Sequence, residues 1–387
     1  MKIILSVEPI RYPLTGIGRY TLEIAQHLAR HPDIEAMRYF SAGQFLDALP
    51  SAAQGPAGGP ESLLRRAKRF VARNQTILET YRYLRNRTQK QVLAGSADWL
   101  YHGPNYYLPP TPGPAVVTFH DLSVLTMPQC HPVERVRYMT KEIEVSLKRA
   151  DFIITDSDHV RNEVAQTFSW PLEKIRTVYL AGSPGFRPRG AEETAAALGE
   201  LGLSHGGYAL YAGTIEPRKN LLTLLSAYER IEPALRKRYP LVLAGFRGWN
   251  NEAIMERIEK GQREGWARYL GYVPEEAFPA LFSGARLFTF PSLHEGFGLP
   301  VLEAMASGVP VVCSDTSSLP EVAGDAAAMC KAEDVDTLTQ LIAQGLGDDE
   351  WREKAVAAGL LQAQKFSWQR CAAETVSVYK DTLALTS

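Results

Sequence analysis

The segment His294-Glu295-Gly296-Phe297-Gly298-Leu299-Pro300-Val301-Leu302-Glu303, continued by Ala304-Met305-Ala306-Ser307-Gly308-Val309-Pro310-Val311-Val312, decides the fold. The apolar run 286–290 before it has strand length, and 309–313 after it is a second such run. Pro300 suits the start of a helix, where its missing N–H would have no intrahelical partner, and Gly308 suits the position just past the end. The order is therefore strand, glycine-flanked loop, helix, strand. Parallel strands joined by a helix place the loop after the first strand at the carboxyl edge of the sheet, where open α/β sheets bind ligands.

Glu295 falls in that loop. Gly296 and Gly298 let backbone approach a ligand closely, and the amides of Gly298 and Leu299 sit at the positive end of the helix dipole, suited to a phosphate. Glu303 is expected in the first helical turn, where its carboxylate would accept two hydrogen bonds from a vicinal diol such as a ribose. An acid near a helix N-terminus is also an ordinary stabilising feature, and Glu295 an ordinary loop charge. Local geometry alone leaves both roles open.

Two glutamates eight apart around Gly-Phe-Gly-Leu-Pro resemble the E-x7-E signature of retaining GT-B glycosyltransferases, specifically family 4. The resemblance extends to Thr118-Phe119-His120-Asp121, to Tyr211-Ala212-Gly213-Thr214-Ile215-Glu216-Pro217-Arg218-Lys219-Asn220, and to Leu270-Gly271-Tyr272-Val273, so it spans nearly the whole chain. It implies an α/β fold of two Rossmann-like, doubly wound domains facing across a cleft, with a C-terminal helix crossing back to the first domain. The expected boundaries are 1–185 for an acceptor-binding domain, 186–207 for a linker, 208–365 for a nucleotide-sugar-binding domain and 366–387 for the crossover helix.

Composition agrees with a soluble two-domain enzyme. The chain has 387 residues, more than one hydrophobic core usually supports, with 45% hydrophobic and 22% charged residues and a net charge of −1. Nothing in that balance points to nucleic acid. The cysteines 130, 313, 330 and 371 are scattered, with no C-x-x-C, and are expected to be reduced structural thiols; no metal site is expected. The run Ile3-Ile4-Leu5-Ser6-Val7 is short and broken by Glu8 and Arg11, so neither a signal peptide nor a membrane span is expected.

One local asymmetry stands out. Between 61 and 90 lie Arg65, Arg66, Lys68, Arg69, Arg73, Arg82, Arg85, Arg87 and Lys90 against only Glu61 and Glu79, interleaved with apolar residues at helical spacing. The segment reads either as a basic amphipathic surface for an anionic bilayer or as a helix packed on the domain with a solvated basic face. The first reading implies a cytoplasmic enzyme held peripherally on the inner face of the membrane.

The remaining motifs fall at strand ends. Thr15-Gly16-Ile17-Gly18 follows the first strand and resembles part of a dinucleotide fingerprint, but Thr21 replaces the third glycine and the next strand lacks the ribose-binding acid, which disfavours a nicotinamide dehydrogenase. In GT-B enzymes the equivalent loop lies close to the donor, and the resemblance assigns Gly16 and Gly18 there. It also makes His120 face the donor sugar, while Asp121 either contacts the acceptor or caps the turn. Asp156, Ser157 and Asp158 read as helix caps with no chemistry. Arg218 and Lys219 stand at a strand end beside a helix start, placed to bind a leaving diphosphate.

The resemblance thus implies a nucleotide-diphosphate sugar held by Gly213, Arg218, Lys219, Gly296, Phe297, Gly298 and Leu299. Glu303 would hold the ribose, backbone near Val273 the base, and Glu295 and His120 the reacting sugar. No divalent metal is required when protein cations neutralise the diphosphate, and no Asp-x-Asp motif is present. Glu295 is not assigned as a covalent nucleophile, since family 4 chemistry is held to be a same-face displacement. The similar subgroup is the bacterial mannosyltransferases of O-antigen and related polysaccharides, implying GDP-mannose or GDP-rhamnose as donor, a lipid-linked saccharide as acceptor and an α-linked product. A UDP-sugar donor, a nucleotide-sugar 2-epimerase and, remotely, a non-catalytic assembly partner are the alternatives.

Overall fold

The computed structural model describes residues 1–51 and 75–386. They divide into two compact units: Met1–Thr126, Val133–Tyr179 and Trp368–Ser387 form one, and Met127–Pro132 with Leu180–Ser367 the other.

The first unit is built on a seven-stranded sheet of order β3-β2-β1-β4-β5-β6-β7. Its strands are β1 Lys2–Ser6, β2 Ala36–Ser41, β3 Gln44–Leu46, β4 Leu100–Gly103, β5 Ala115–Phe119, β6 Phe152–Thr155 and β7 Ile175–Thr177. Neighbouring strands are parallel except β2 and β3, which form a hairpin through Ala42 and Gly43 at φ 50° and 84°. Continuous apolar runs such as Ile3-Ile4-Leu5 and Ala115-Val116-Val117 are fully buried, as expected for strands covered on both faces. The helices that matter below are α1 Gly16–Leu28, α2 Gln75–Leu93, α3 Val133–Leu147 and α4 Asp158–Phe168. Strand order reverses between β1 and β4, which makes their carboxyl ends the switch point of this sheet. The C-terminal helix Trp368–Thr386 returns to this unit, where Trp368 meets Tyr20 of α1 and the Tyr379 hydroxyl lies 2.7 Å from His102 Nδ1.

The second unit has a fully parallel six-stranded sheet of order β10-β9-β8-β11-β12-β13. Its strands are β8 Ala209–Ala212, β9 Leu241–Ala244, β10 Ala267–Gly271, β11 Leu287–Phe290, β12 Val311–Ser314 and β13 Ala328–Cys330. Helices α5 Leu221–Arg230, α6 Glu252–Arg263 and α7 Leu299–Ala306 follow β8, β9 and β11. Here the order reverses between β8 and β11. Both Arg218-Lys219 and the Glu295 loop follow strands at that switch point. Residues 186–207, expected as a linker, belong to this unit: Ala191–Glu200 is a helix whose Thr194 and Leu198 are buried, and Arg187 pairs with Glu193.

The basic segment departs from expectation where it is described. Residues 61–74 lie outside the described residues. Within α2, Arg82 is buried and its Nε lies 2.6 Å from Glu142 of α3, and Arg85 reaches the other oxygen of Glu142 at 2.9 Å. These two cations dock the helix on its own unit rather than facing outward. Tyr83 and Leu84 are exposed, as are Arg87 and Lys90. Among the described residues no helix is long and apolar enough to cross a membrane. All four cysteines are buried and none forms a disulfide.

Candidate functional site

In the second unit the segment between β8 and α5 runs through a single turn, Pro217–Lys219, ending at Asn220, whose φ is 56°. Asn220 occupies the cap position of α5, yet its side chain makes no cap bond. It donates instead to the carbonyls of Pro291 and Ala332, at 3.0 and 2.6 Å. This ties the β8 loop to the segment after β11, as does the Leu293 amide on the Arg218 carbonyl at 2.9 Å.

On that frame sits a buried cluster of four charges. Lys219 Nζ donates to Glu295 Oε1 at 2.5 Å, and Arg218 reaches Glu295 Oε2 at 3.3 Å, Glu216 Oε1 at 3.0 Å and the His294 carbonyl at 2.6 Å. Burial alone would raise Glu295, but Lys219 and Arg218 outweigh it and hold the carboxyl below its usual range. Burial lowers Lys219, against the pull of the same carboxylate. Glu216 completes the charge balance and carries no sequence signal beyond its place before Pro217.

The Glu295 loop is fastened from its far side. Ser318 Oγ donates to the carbonyls of Glu295 and Phe297 at 2.9 and 2.8 Å, and the Glu295 amide donates to Ser317 Oγ at 2.8 Å. The Phe297 ring meets Phe366 edge-on at 5.7 Å. Gly298 then turns the chain into α7 at φ 110°, a value that favours glycine, and a Cβ there would lie 2.7 Å from Leu319 Cδ2. Pro300 lies in the first turn of α7 and Gly308 follows its last turn at φ 72°. Glu303 is the fifth helical residue, just past the first turn in which the sequence reading placed it. It is buried, beside Gly182.

Three glycines close the neighbouring strands. The Gly213 amide donates to the Ala244 carbonyl at 2.9 Å and the Gly245 amide to the Gly271 carbonyl at 2.8 Å, so the ends of β8, β9 and β10 are laced together. Gly245 has φ 143°, and a Cβ there would stand 2.0 Å from the Gly213 carbonyl oxygen, which excludes any other residue. Immediately after Gly245 and Gly271 come Phe246 and Tyr272, about half exposed, with rings stacked at 4.9 Å and 28°. Val273 beside them is buried. Sequence reading missed this aromatic pair because its members follow two separate strands.

The other expected residues lie in the first unit. Thr15 caps α1 by accepting from the Gly18 amide at 3.3 Å; Gly16 opens the helix, and Gly18 packs against the Pro9 carbonyl. Asp121 accepts from both the amide and the hydroxyl of Ser123, at 2.9 and 2.7 Å, and so caps the turn. His120 is buried, with Nδ1 2.7 Å from Asp156 Oδ2 and Nε2 2.8 Å from the Pro104 carbonyl. Oxygens facing both ring nitrogens suit the doubly protonated ring. Burial opposes that charge, but the Asp156 carboxylate and the Pro104 carbonyl outweigh it and raise His120 above its usual range. The rings of Tyr20 and Tyr106 stand edge-on to the imidazole at 5.1 and 5.8 Å. Asp156, read from sequence as a cap, is therefore a partner of His120, while Ser157 provides the cap of α4.

Comparison with known proteins agrees with this architecture. The family description "Glycosyl transferases group 1" matches residues 203–361, which contain the whole charge cluster. The chain is 47% identical over 380 residues to the O-antigen chain mannosyltransferase B of Escherichia coli, covering 98% of this chain and 100% of that protein. Among solved structures, a sucrose-phosphate synthase from Thermosynechococcus elongatus superposes with a TM-score of 0.67 at 20% identity, with 100% of each chain covered. WaaG, a glycosyltransferase involved in lipopolysaccharide biosynthesis, superposes with a TM-score of 0.68 at 13% identity, covering 97% of this chain and 99% of that one. These likenesses identify the two-sheet architecture as the GT-B fold.

Proposed function

The chain belongs to the group 1 glycosyltransferases, in the family of the O-antigen chain mannosyltransferase B, and from that premise we propose that it transfers mannose from GDP-mannose to a lipid-linked saccharide during O-antigen or related polysaccharide synthesis. Family 4 membership, retention of configuration and an α-linked product are part of this reading. The observation that carries it is the cluster of Arg218, Lys219 and Glu295 at the switch point of the second sheet, in a relative of a mannosyltransferase.

The diphosphate of the donor is bound by Arg218, Lys219 and the first amides of α7 at Gly298 and Leu299, which have no intrahelical acceptor. These fixed charges also stabilise the phosphate as it leaves, so no divalent metal is required. Glu295, with the backbone of Gly296 and Phe297, takes the sugar hydroxyls. Glu303 takes the ribose, and the base lies against the backbone at Val273 beside Phe246 and Tyr272. Gly213 leaves room for the phosphates. Within the first unit, His120 supplies a proton-bearing imidazole held by Asp156; its Nε2 must release the Pro104 carbonyl to meet a substrate hydroxyl. Gly16, Gly18 and Asp121 are assigned to the substrate-facing loops of that unit. The exposed Tyr83, Leu84, Arg87 and Lys90 on α2 dock the enzyme on an anionic membrane surface.

Calorimetric titration with GDP-, UDP-, ADP- and dTDP-sugars in the presence of a chelator tests the donor. Binding of GDP-mannose, with transfer to a mannose-terminated lipid-linked acceptor, is expected. Selective binding of a UDP-sugar, or transfer that stops on chelation, would overturn the donor or the metal-free chemistry respectively.

A further inference from the structure

His102 is a titratable group that no step above uses. It stands on β4, fully buried, with both ring nitrogens engaged: Nδ1 lies 2.7 Å from the Tyr379 hydroxyl of the C-terminal helix and Nε2 2.9 Å from Thr118 Oγ1 of β5. Thr118 Oγ1 lies in turn 3.1 Å from the Tyr20 hydroxyl of α1. Four elements of the first unit thus feed one hydrogen-bonded chain, Tyr379 to His102 to Thr118 to Tyr20, and no member is more than 1% exposed.

The last member of the chain meets the candidate site. The Tyr20 ring stands edge-on to His120 at 5.1 Å and 81°. Such packing is favourable only while the ring keeps its plane, and among the described residues Thr118 is the sole hydrogen-bond partner of the Tyr20 hydroxyl. Thr118 serves its two neighbours through one oxygen, donating to one and accepting from the other. Taking His102 out of the chain therefore frees the Thr118 hydroxyl to turn, and the anchor of Tyr20 turns with it.

Electrostatics gives the chain a direction. Burial, helped by the nearby His120, pushes His102 down to about 3, so its imidazole is neutral and donates from one nitrogen only. Around His120 stand the carboxylates of Asp156 and Asp121, the hydroxyls of Tyr20 and Tyr106, the His102 ring, and the Cys371 thiol of the C-terminal helix, with Arg135 further out beside Tyr106. Burial pushes Tyr20, Tyr106 and Cys371 well above their usual values, so these three are neutral. A protonated His120 favours the arrangement in which each donor points away from it: Tyr20 to Thr118, Thr118 to His102 Nε2, and His102 Nδ1–H to the Tyr379 oxygen.

We propose that His102 is a positioning residue for His120: through Thr118 it fixes the Tyr20 ring against the imidazole, and through Tyr379 it ties that arrangement to the C-terminal helix. The proposal rests on the role given to His120 above and extends it to a buried histidine that touches no substrate. Because His102, Thr118 and Tyr379 are all neutral, replacing any of them alters no net charge, and a change at His120 must come through geometry and dipole direction.

The test follows the histidine ring nitrogens of the isotope-labelled full chain by NMR against pH, with kcat and KM for GDP-mannose measured in parallel. Wild type, Thr118→Val, Thr118→Ser, Tyr379→Phe and, as a control on the same helix, Thr382→Val are compared; Thr382 bonds only the Val378 carbonyl. Wild-type His102 should hold one tautomer, Nδ1–H, and Tyr379→Phe should shift it toward Nε2–H. Thr118→Val should lower the His120 pKa by about half a unit, about a threefold loss of proton affinity, and reduce kcat with little change in KM. Thr118→Ser should restore both, and Thr382→Val should move neither. A wild-type His102 that averages between tautomers overturns the proposal without any variant. A His120 titration that is the same in Thr118→Val and Tyr379→Phe as in wild type, or that moves as far in Thr382→Val, overturns it too. A shifted His120 with unaltered kcat upholds the positioning and removes His120 from the reaction, so the two assignments fail separately.

Discussion

Lys219 Nζ lies 2.5 Å from Glu295 Oε1, deep in the second unit. With Arg218 and Glu216 added, two cations face two carboxylates, so the cluster is neutral as it stands. Under the proposed donor assignment, a diphosphate that took up Arg218 and Lys219 would free Glu295 for sugar hydroxyls. Donor binding would then be an exchange of partners, with the carboxylate released as the sugar arrives.

Glu295→Gln should lower kcat about 10²–10³-fold, the loss seen when one preorganised group at a reacting centre is removed. It should also move a pH profile. Glu295 now holds Lys219 up against burial, so its loss lets Lys219 deprotonate at lower pH. GDP affinity of the variant, measured by calorimetry against pH, should therefore decline on the alkaline side earlier than in wild type. Superimposable profiles would show that the pair is not coupled.

Acid stability follows from the same group. The folded-state pKa of Glu295 is depressed, so its contribution is present above the usual carboxylate value and is lost as pH falls through the lower folded value. Thermal melts below about pH 4.5 should therefore show wild type losing its advantage over Glu295→Gln as the solution is acidified. An advantage that grows on acidification contradicts the assignment.

Asp156→Asn removes the carboxylate that keeps His120 protonated. Burial then dominates and the imidazole pKa should fall, read from the ring proton shifts by NMR. For a raised histidine the stabilisation is complete below its unfolded value and disappears as pH rises through the folded one. Wild type should thus lose stability relative to the variant as pH climbs above about 6.5. Transfer activity should fall as well, with the loss largest near neutral pH.

Phe246→Ala and Tyr272→Ala should each weaken GDP binding by about 1–3 kcal/mol if the pair stacks on the base. Both rings are half exposed, so melting temperature should hardly change. Unaltered GDP affinity in both variants would remove the pair from the donor site.

Two classes of basic residue on α2 should separate experimentally. Arg82→Ala leaves a buried carboxylate short of a partner and should cost about 3 kcal/mol of stability, visible in denaturant unfolding. Arg87→Glu with Lys90→Glu should leave stability alone and reduce retention on anionic vesicles in sedimentation. Vesicle retention that is indifferent to the double reversal would count against the membrane surface.

Much of the second unit is legible in its sequence because chain neighbours carry the candidate groups. Arg218-Lys219 and Glu295-Gly296-Phe297-Gly298 each fall within one loop, and Pro300 and Gly308 mark a helix by local backbone rules. Glu303 falls one residue past the first turn because the helix begins at Leu299, directly after the left-handed Gly298 and one residue before Pro300. Asp156 escaped because an aspartate before serine looks like a cap, and only the β5 to β6 register brings it to His120. The β2–β3 hairpin escaped because its turn is Ala42-Gly43, without the Asn-Gly signal such turns usually carry. Phe246 and Tyr272 are partners only in three dimensions.

The glycines at 213, 245 and 271 have a consequence for how this enzyme can diverge. Their backbone lacing leaves no side chain to exchange, so the floor beneath them is a fixed chassis. Phe246 and Tyr272 ride directly on it and point their rings at solvent with little packing to disturb. If the proposed donor site is right, replacing those two passengers would alter what the base meets without any rebuilding of the sheet that carries them.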